Sequence, residues 1–123
     1  MNFSFSKRLR SFVHAFNGVW LVLKTQHNSW IHLFATVGVV VFGSYFKVSK
    51  YEWIAIIISI VIVWVAEVLN SAIEFLADAV TLENNPKIKR AKDASAGAAL
   101  IAAIGSVSIG TIVFYPYIIR LFS

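Results

Sequence analysis

Five of the six acidic side chains in this sequence, Glu67, Glu74, Asp78, Glu83 and Asp93, fall within one 27-residue stretch, and Glu52 stands apart in an expected outer loop. At about 100° per residue, Glu67, Asn70, Glu74 and Asp78 project at roughly 0°, 300°, 340° and 20°, a stripe about 80° wide on one helix face. Lys92 adjoins Asp93, behind a cationic run of Lys87, Lys89 and Arg90. Glu67 directly follows Trp53–Ala66, which is apolar except for Ser59. A carboxylate at membrane depth is costly, faces a protein interior or an aqueous cavity, and marks function by default. The competing reading is a stripe turned to headgroup water, with Glu67 paired to a Lys or Arg; it applies most readily to Asp78, near the surface.

Carboxylates beside a lysine, with no thiol and no Ser–His–Asp arrangement, suit a hard anionic substrate and a hard cation. Mg²⁺ takes carboxylate and phosphate oxygens, and a separate carboxylate can act as general base toward a hydroxyl. Phosphoryl transfer fits this set. Proton or cation handling is the physical competitor, because acids in spans also mark ion paths. A conduit needs polar groups across the full depth, whereas the outer halves of the second and third spans hold only Ser and Thr, so this site opens to one side. No GxxxxGK[ST] loop or kinase glycine loop occurs, which makes any ATP site unconventional. The basic loop Lys87–Lys92 is either a source of cationic contacts or an ordinary positive-inside loop.

The elements that position these groups are legible from composition. The chain has 123 residues, is 59% apolar and only 14% charged, and carries a formal +5. A small soluble domain spends about a quarter of its residues on charges, so a membrane protein is expected. With no cysteine, disulfide, thiolate-metal and iron–sulfur chemistry is excluded. A disordered chain is excluded as well, because 18 aromatics and long Val/Ile/Leu runs cannot stay solvated. A secretory leader is a poor reading of the N-terminus, where no uninterrupted apolar core precedes Lys24.

The expected fold is all-α and integral to the membrane, a single domain with spans over about residues 30–47, 53–80 and 92–117 and the third helix ending at Pro116. Residues from about 3 to 27 read as an amphipathic surface helix built on Phe3, Phe5, Leu9, Phe12, Phe16 and Trp20; a disordered basic leader is the alternative. The turn before the third span is expected at Leu82–Pro86. Eight Lys and Arg fall on the side of the N-terminus and second loop, against Lys47, Lys50 and Arg120 on the other. The positive-inside rule makes the N-terminus cytoplasmic, and the net charge then needs no nucleic-acid partner. Small residues recur every four positions at Ala94, Ala98, Ala102, Ser106 and Gly110, a ladder that lets helices approach closely. Three spans and a surface helix can hardly enclose a nucleotide and a lipid headgroup alone, which favours an oligomer with shared sites.

The stretch Glu67-Val-Leu-Asn70-Ser-Ala-Ile-Glu74, followed by Asp78, Glu83, Ala91-Lys92-Asp93 and Ala96-Gly97-Ala98, resembles the signature of the prokaryotic diacylglycerol kinase and undecaprenol kinase family. Phe12, Ala15, Gly18, Asn28, Ile31 and His32 also look like family positions. The resemblance implies a small homotrimeric enzyme of the bacterial inner membrane, with three spans and an N-terminal amphipathic helix per subunit. Such an enzyme phosphorylates a lipid alcohol, undecaprenol or diacylglycerol, with MgATP in sites shared between subunits.

Carried over residue by residue, the resemblance makes Glu67 the general base and Asn70 its orienting neighbour. Glu74 becomes the metal-binding glutamate, and Lys92 and Asp93 become nucleotide contacts. Glu83, Asn84 and Asn85 would reach the nucleotide from their loop, and Lys7 and His14 would reach it from the surface helix. Asp78 belongs to the stripe without an assigned role. Gln26 stands where the family usually has a second metal-binding Glu, and Trp30 where it often has Arg. An amide oxygen can ligate Mg²⁺ but adds no charge, so the metal is held more weakly or another acid moves in. A catalytically reduced relative serving as scaffold or regulator is the remaining alternative.

Overall fold

The computed structural model describes residues 4–123; Phe3, assigned above to the surface helix, lies outside them. Four helices follow in order: α1 (Phe5–Thr25), α2 (His27–Phe46), α3 (Lys50–Val80) and α4 (Pro86–Leu121). The last three are long and apolar enough to cross a membrane. The chain exposes 9593 Å², against roughly 6,600 Å² for a compact soluble protein of its mass. Val22, Val48, Ile56, Ala77, Ala102 and Val113 are buried, while Ile57, Val65, Ile101 and Ile112 remain more than half exposed. Such apolar surface requires lipid or other protein around it.

Each helix boundary has a local cause. The Ser4 hydroxyl accepts from Lys7 N–H at the start of α1, and α1 ends at Gln26, an extended residue that also precedes α2. The corner is tied by Ser29, wholly buried, whose hydroxyl donates to the Val22 carbonyl at 3.2 Å. At the far end of α2, Lys47 takes the left-handed conformation (φ 53°) and its N–H and that of Val48 reach back to Ser44 and Gly43 carbonyls, a Schellman-type stop. Gly43 is required there, because a Cβ would lie 2.7 Å from the Trp53 ring.

Three expectations are corrected. Glu52 belongs to the first turn of α3 and not to a loop: it closes a capping box with Ser49, each side chain bonding the other's backbone N–H. The turn between α3 and α4 ends at Asn85, because the Asn85 carboxamide caps the Lys87 and Ile88 N–H groups and leaves Pro86 as the first helical residue. The third apolar helix does not stop at Pro116 but runs through it to Leu121. Proline removes one backbone bond, yet the next residue, Tyr117, donates its hydroxyl to Glu52 at 2.6 Å and packs on Phe46, which holds the last turns of α4 against the start of α3.

The most extensive packing is between α3 and α4. An apolar cluster around Val48, Ile56 and Val113 closes the end beside the α2–α3 turn, and mid-helix the Ser59 hydroxyl donates to that of Ser106 at 2.7 Å. The small-residue ladder is used only in part: Ala102 is buried and Ser106 is bonded, but Ala94 and Ala98 stay exposed. A repeat of four drifts about 40° per step around a 3.6-residue helix, so its members cannot all face one neighbour. Ala102→Phe is therefore expected to destabilise the chain by about 1–3 kcal/mol, measured by unfolding in detergent, while Phe at exposed Ile101 or Ile112 leaves stability near wild type; equal effects at all three would mean Ala102 is not a packing position.

Candidate functional site

The polar face of α3 is built from the inside outward. Glu67, the eighteenth residue of this helix, is 5% exposed. Its carboxylate Oε2 lies 3.3 Å from His32 Nε2 on α2. One turn on, Asn70 is half-buried and its Oδ1 accepts from the Ser95 hydroxyl of α4 at 2.7 Å. With the oxygen engaged, the Asn70 amide nitrogen keeps its two hydrogens for another acceptor. Glu74 is half-buried, has no hydrogen bond or ion pair to any described residue, and lies within Coulombic reach of Lys92. Asp78, at the exposed end, accepts from Lys92 Nζ at 2.7 Å.

At about 1.5 Å per residue, Glu67 and Asp78 stand roughly 16 Å apart along the helix. The stripe thus connects a buried acid with an exposed ion pair about three turns further along α3. Past that pair the chain folds around a cavity of about 580 Å³ lined by Glu83, Asn84, Asn85, Lys89, Lys92 and Asp93 with neighbouring Thr81 and Leu82, within the size range of small-molecule sites. On the side of α3 away from His32, Val61, Val65, Leu69, Ile101 and Ala102 line an apolar groove of about 540 Å³ that Asn70 and Ser95 also border.

A comparison of the chain with known families finds a match over residues 13–114 to the family described as prokaryotic diacylglycerol kinase. The chain belongs to this family. It is 38% identical over 107 residues to the undecaprenol kinase of Bacillus subtilis (strain 168), covering 87% of each chain. To the diacylglycerol kinase of Synechocystis sp. (strain ATCC 27184 / PCC 6803 / Kazusa) it is 32% identical over 114 residues, 92% of this chain and 65% of that protein. It is thus an enzyme of a lipid-kinase family, a transferase whose three apolar helices suit a membrane.

Set against the expected site of a prokaryotic diacylglycerol kinase, the structure joins Glu67, Asn70, Glu74, Asp78 and Lys92 along the α3–α4 pair, and groups Glu83, Asn84, Asn85, Lys92 and Asp93 around one cavity. It does not bring every expected residue to them. Asp93 is paired with Lys89 one turn earlier, at 2.6 Å. Lys7 and His14 are exposed on α1, and the Gln26 side chain donates to the neighbouring Thr25 hydroxyl at 3.5 Å and to no other described residue. No group of three or more His, Asp or Glu side chains placed to hold a metal occurs among the described residues.

Two site residues escaped the sequence reading as chemistry. The sequence marks His32 as a family position without a role, and does not single out Ser95. The available signal for His32 was a second polar residue at membrane depth, facing the helix that carries Glu67; for Ser95 there was none. Removing the hydroxyl that fixes Asn70, as Ser95→Ala, is expected to lower lipid-kinase turnover about two- to tenfold, the worth of one hydrogen bond. Unchanged turnover would mean that Asn70 is oriented by something else.

Proposed function

We propose that this chain transfers the γ-phosphoryl group of ATP to the hydroxyl of a membrane lipid alcohol at the cytoplasmic membrane face, with a polyprenol of the undecaprenol type as first acceptor and diacylglycerol as second. One observation carries the reading: a single polar stripe joins a carboxylate buried at membrane depth to a lysine-bearing cavity outside it. A lipid hydroxyl can meet the first and a nucleotide the second. The relatives' names support the acceptor class, with the undecaprenol kinase the more similar of the two described.

In this reading the Glu67 carboxylate takes the hydroxyl proton while the alcohol oxygen forms a bond to the γ-phosphorus, the bond from that phosphorus to the bridging oxygen breaks, and ADP leaves. The free amide hydrogens of Asn70 orient the acceptor oxygen. Lys92, released from Asp78, contacts phosphate, and Asp93, Glu83, Asn84 and Asn85 complete the nucleotide cavity. Lys7 and His14 would reach the same nucleotide with α1 lying in the membrane interface, the N-terminus on the cytoplasmic side. That approach, and the exposed apolar faces of α3 and α4, favour a homotrimer with sites shared between subunits.

The donor set fits Mg²⁺ arriving on the nucleotide. Glu74 is a half-buried carboxylate with no competing bond, and Mg²⁺ is usually held by one or two carboxylates plus substrate phosphates. Glu74 would hold the ion, which when bound neutralises phosphate charge. Gln26 could lend at most a neutral oxygen.

Changing Glu67 to Gln keeps its shape and removes its basicity, so turnover on undecaprenol and diacylglycerol, followed with radiolabelled ATP, should drop by about 10²–10⁴-fold with little change in ATP affinity. Near-normal turnover in folded Glu67→Gln protein would sink the assignment. Phosphorylation of neither lipid by the wild-type chain would favour the scaffold reading. For the metal, Gln26→Glu restores a second anionic ligand whose Coulombic attraction a partly dry site screens poorly; the Mg²⁺ concentration for half-maximal turnover should fall. If it stays the same or rises, Gln26 lies outside the metal shell.

A further inference from the structure

A carboxylate held 5% exposed in a membrane helix needs a partner, and the partner here is an imidazole. His32 Nε2 lies 3.3 Å from Glu67 Oε2, with the two side chains 23% and 6% exposed. The contact is an ion-pair approach and not an aligned hydrogen bond; because an ionised carboxylate only accepts, a hydrogen bond between the two forms with the hydrogen on Nε2. The imidazole is itself held in place. Trp64, on the same helix as Glu67, meets the His32 ring edge-on with centroids 6.0 Å apart. The Trp64 indole N–H donates to the Thr36 hydroxyl at 2.9 Å, and that hydroxyl donates to the His32 carbonyl at 2.7 Å. Two side chains and one backbone group therefore link α2 to α3 around the pair.

We propose that His32 is the positioning residue of the reaction: its Nε2–H engages one carboxylate oxygen of Glu67, so that Oε1 alone is presented to the acceptor hydroxyl. The inference rests on Glu67 being the base. A carboxylate can rotate about its last bond and offer either oxygen, and a partner held against one oxygen restricts that freedom. No proton leaves the pair in this role: the hydroxyl proton goes to Oε1 and the Nε2–H stays where it is. His32 touches neither nucleotide nor acceptor, so its removal should lower kcat and spare the KM for ATP.

Two polar replacements separate positioning from packing. In His32→Gln the amide nitrogen falls about where Nε2 does, whereas in His32→Asn it stops one bond short of Glu67. Each variant is purified in detergent, checked by thermal unfolding, and assayed for kcat and KM with ATP and undecaprenol, alone and combined with Glu67→Gln. The expected result is a kcat loss on the order of 10- to 100-fold for His32→Asn, the range for groups that orient a functional side chain, with ATP KM unchanged and with His32→Gln restoring most of the rate. In the Glu67→Gln background neither change should lower the residual rate further. Equal activity of the Asn and Gln variants, or losses that multiply with Glu67→Gln, would overturn the proposal. Should one variant fail to unfold cooperatively, the other decides: a folded Gln variant as slow as Glu67→Gln, or a folded Asn variant as fast as wild type, also overturns it. If Glu67→Gln itself keeps turnover, the base assignment fails first; if it is inactive while Asn and Gln behave alike, only the role of His32 fails.

Discussion

A carboxylate inside a membrane-spanning helix constrains everything around it. Removing a charge from water into a low-dielectric interior is unfavourable by several kcal/mol or more, even after relaxation, and the position survives only if neighbours supply hydrogen bonds. Glu67 has the His32 imidazole of α2 beside it, 3.3 Å away. That contact requires α2 and α3 to approach at one depth, which the Trp64–Thr36 bond also demands. The tie between α1 and α2 at Ser29 and Val22 then fixes where α1 joins the bundle. The polar site and the helix packing are one arrangement.

The two membrane ends of the α3–α4 pair are built on different chemistry. The end beside the α2–α3 turn is closed by apolar and aromatic packing among Val48, Ile56, Val113 and Phe46, and by a Glu52 carboxylate that caps its own helix and accepts from Tyr117 of the other. The Glu52 carboxylate and the Tyr117 hydroxyl there are bonded to each other within the chain. The opposite end keeps capacity in reserve: Glu74 has no bonded partner among the described residues, the Asn70 amide has spare hydrogens, and a cavity opens among charged side chains. The difference between a bonded end and an end with unused donors and acceptors is what the proposed one-sided site would require.

Sequence pattern revealed much of this and missed the rest for physical reasons. The α3 stripe was legible because helical periodicity places Glu67, Asn70, Glu74 and Asp78 on one face whatever the tertiary fold. Family membership was legible because those residues and Lys92-Asp93 form a spaced motif. Periodicity within one helix cannot report what lies across from it, so His32 and Ser95, which act between helices, were not assigned. Proline rules misled at Pro116, since they count the lost backbone bond and not the Tyr117 contact that compensates on the next residue. The ladder of small residues meets a neighbour within the chain at Ala102 and Ser106, and the sequence alone does not say whether its remaining members face this chain or another subunit.

Burial also sorts the charges of the site by how freely they can change partners. Glu67 is almost wholly enclosed, so its contact with His32 cannot be exchanged for water without unpacking helices. The Lys92 and Asp78 side chains are 39% and 49% exposed, and those of Lys89 and Asp93 75% and 65%. Exposed ion pairs contribute little and are screened by salt, so a multiply charged phosphate can displace either carboxylate from its lysine. The gradient suits the proposed reaction in both directions: the group that must hold an acceptor oxygen to within a fraction of an ångström is fixed by packing, and the groups that must admit a nucleotide and release a product every turnover are held by bonds that open readily.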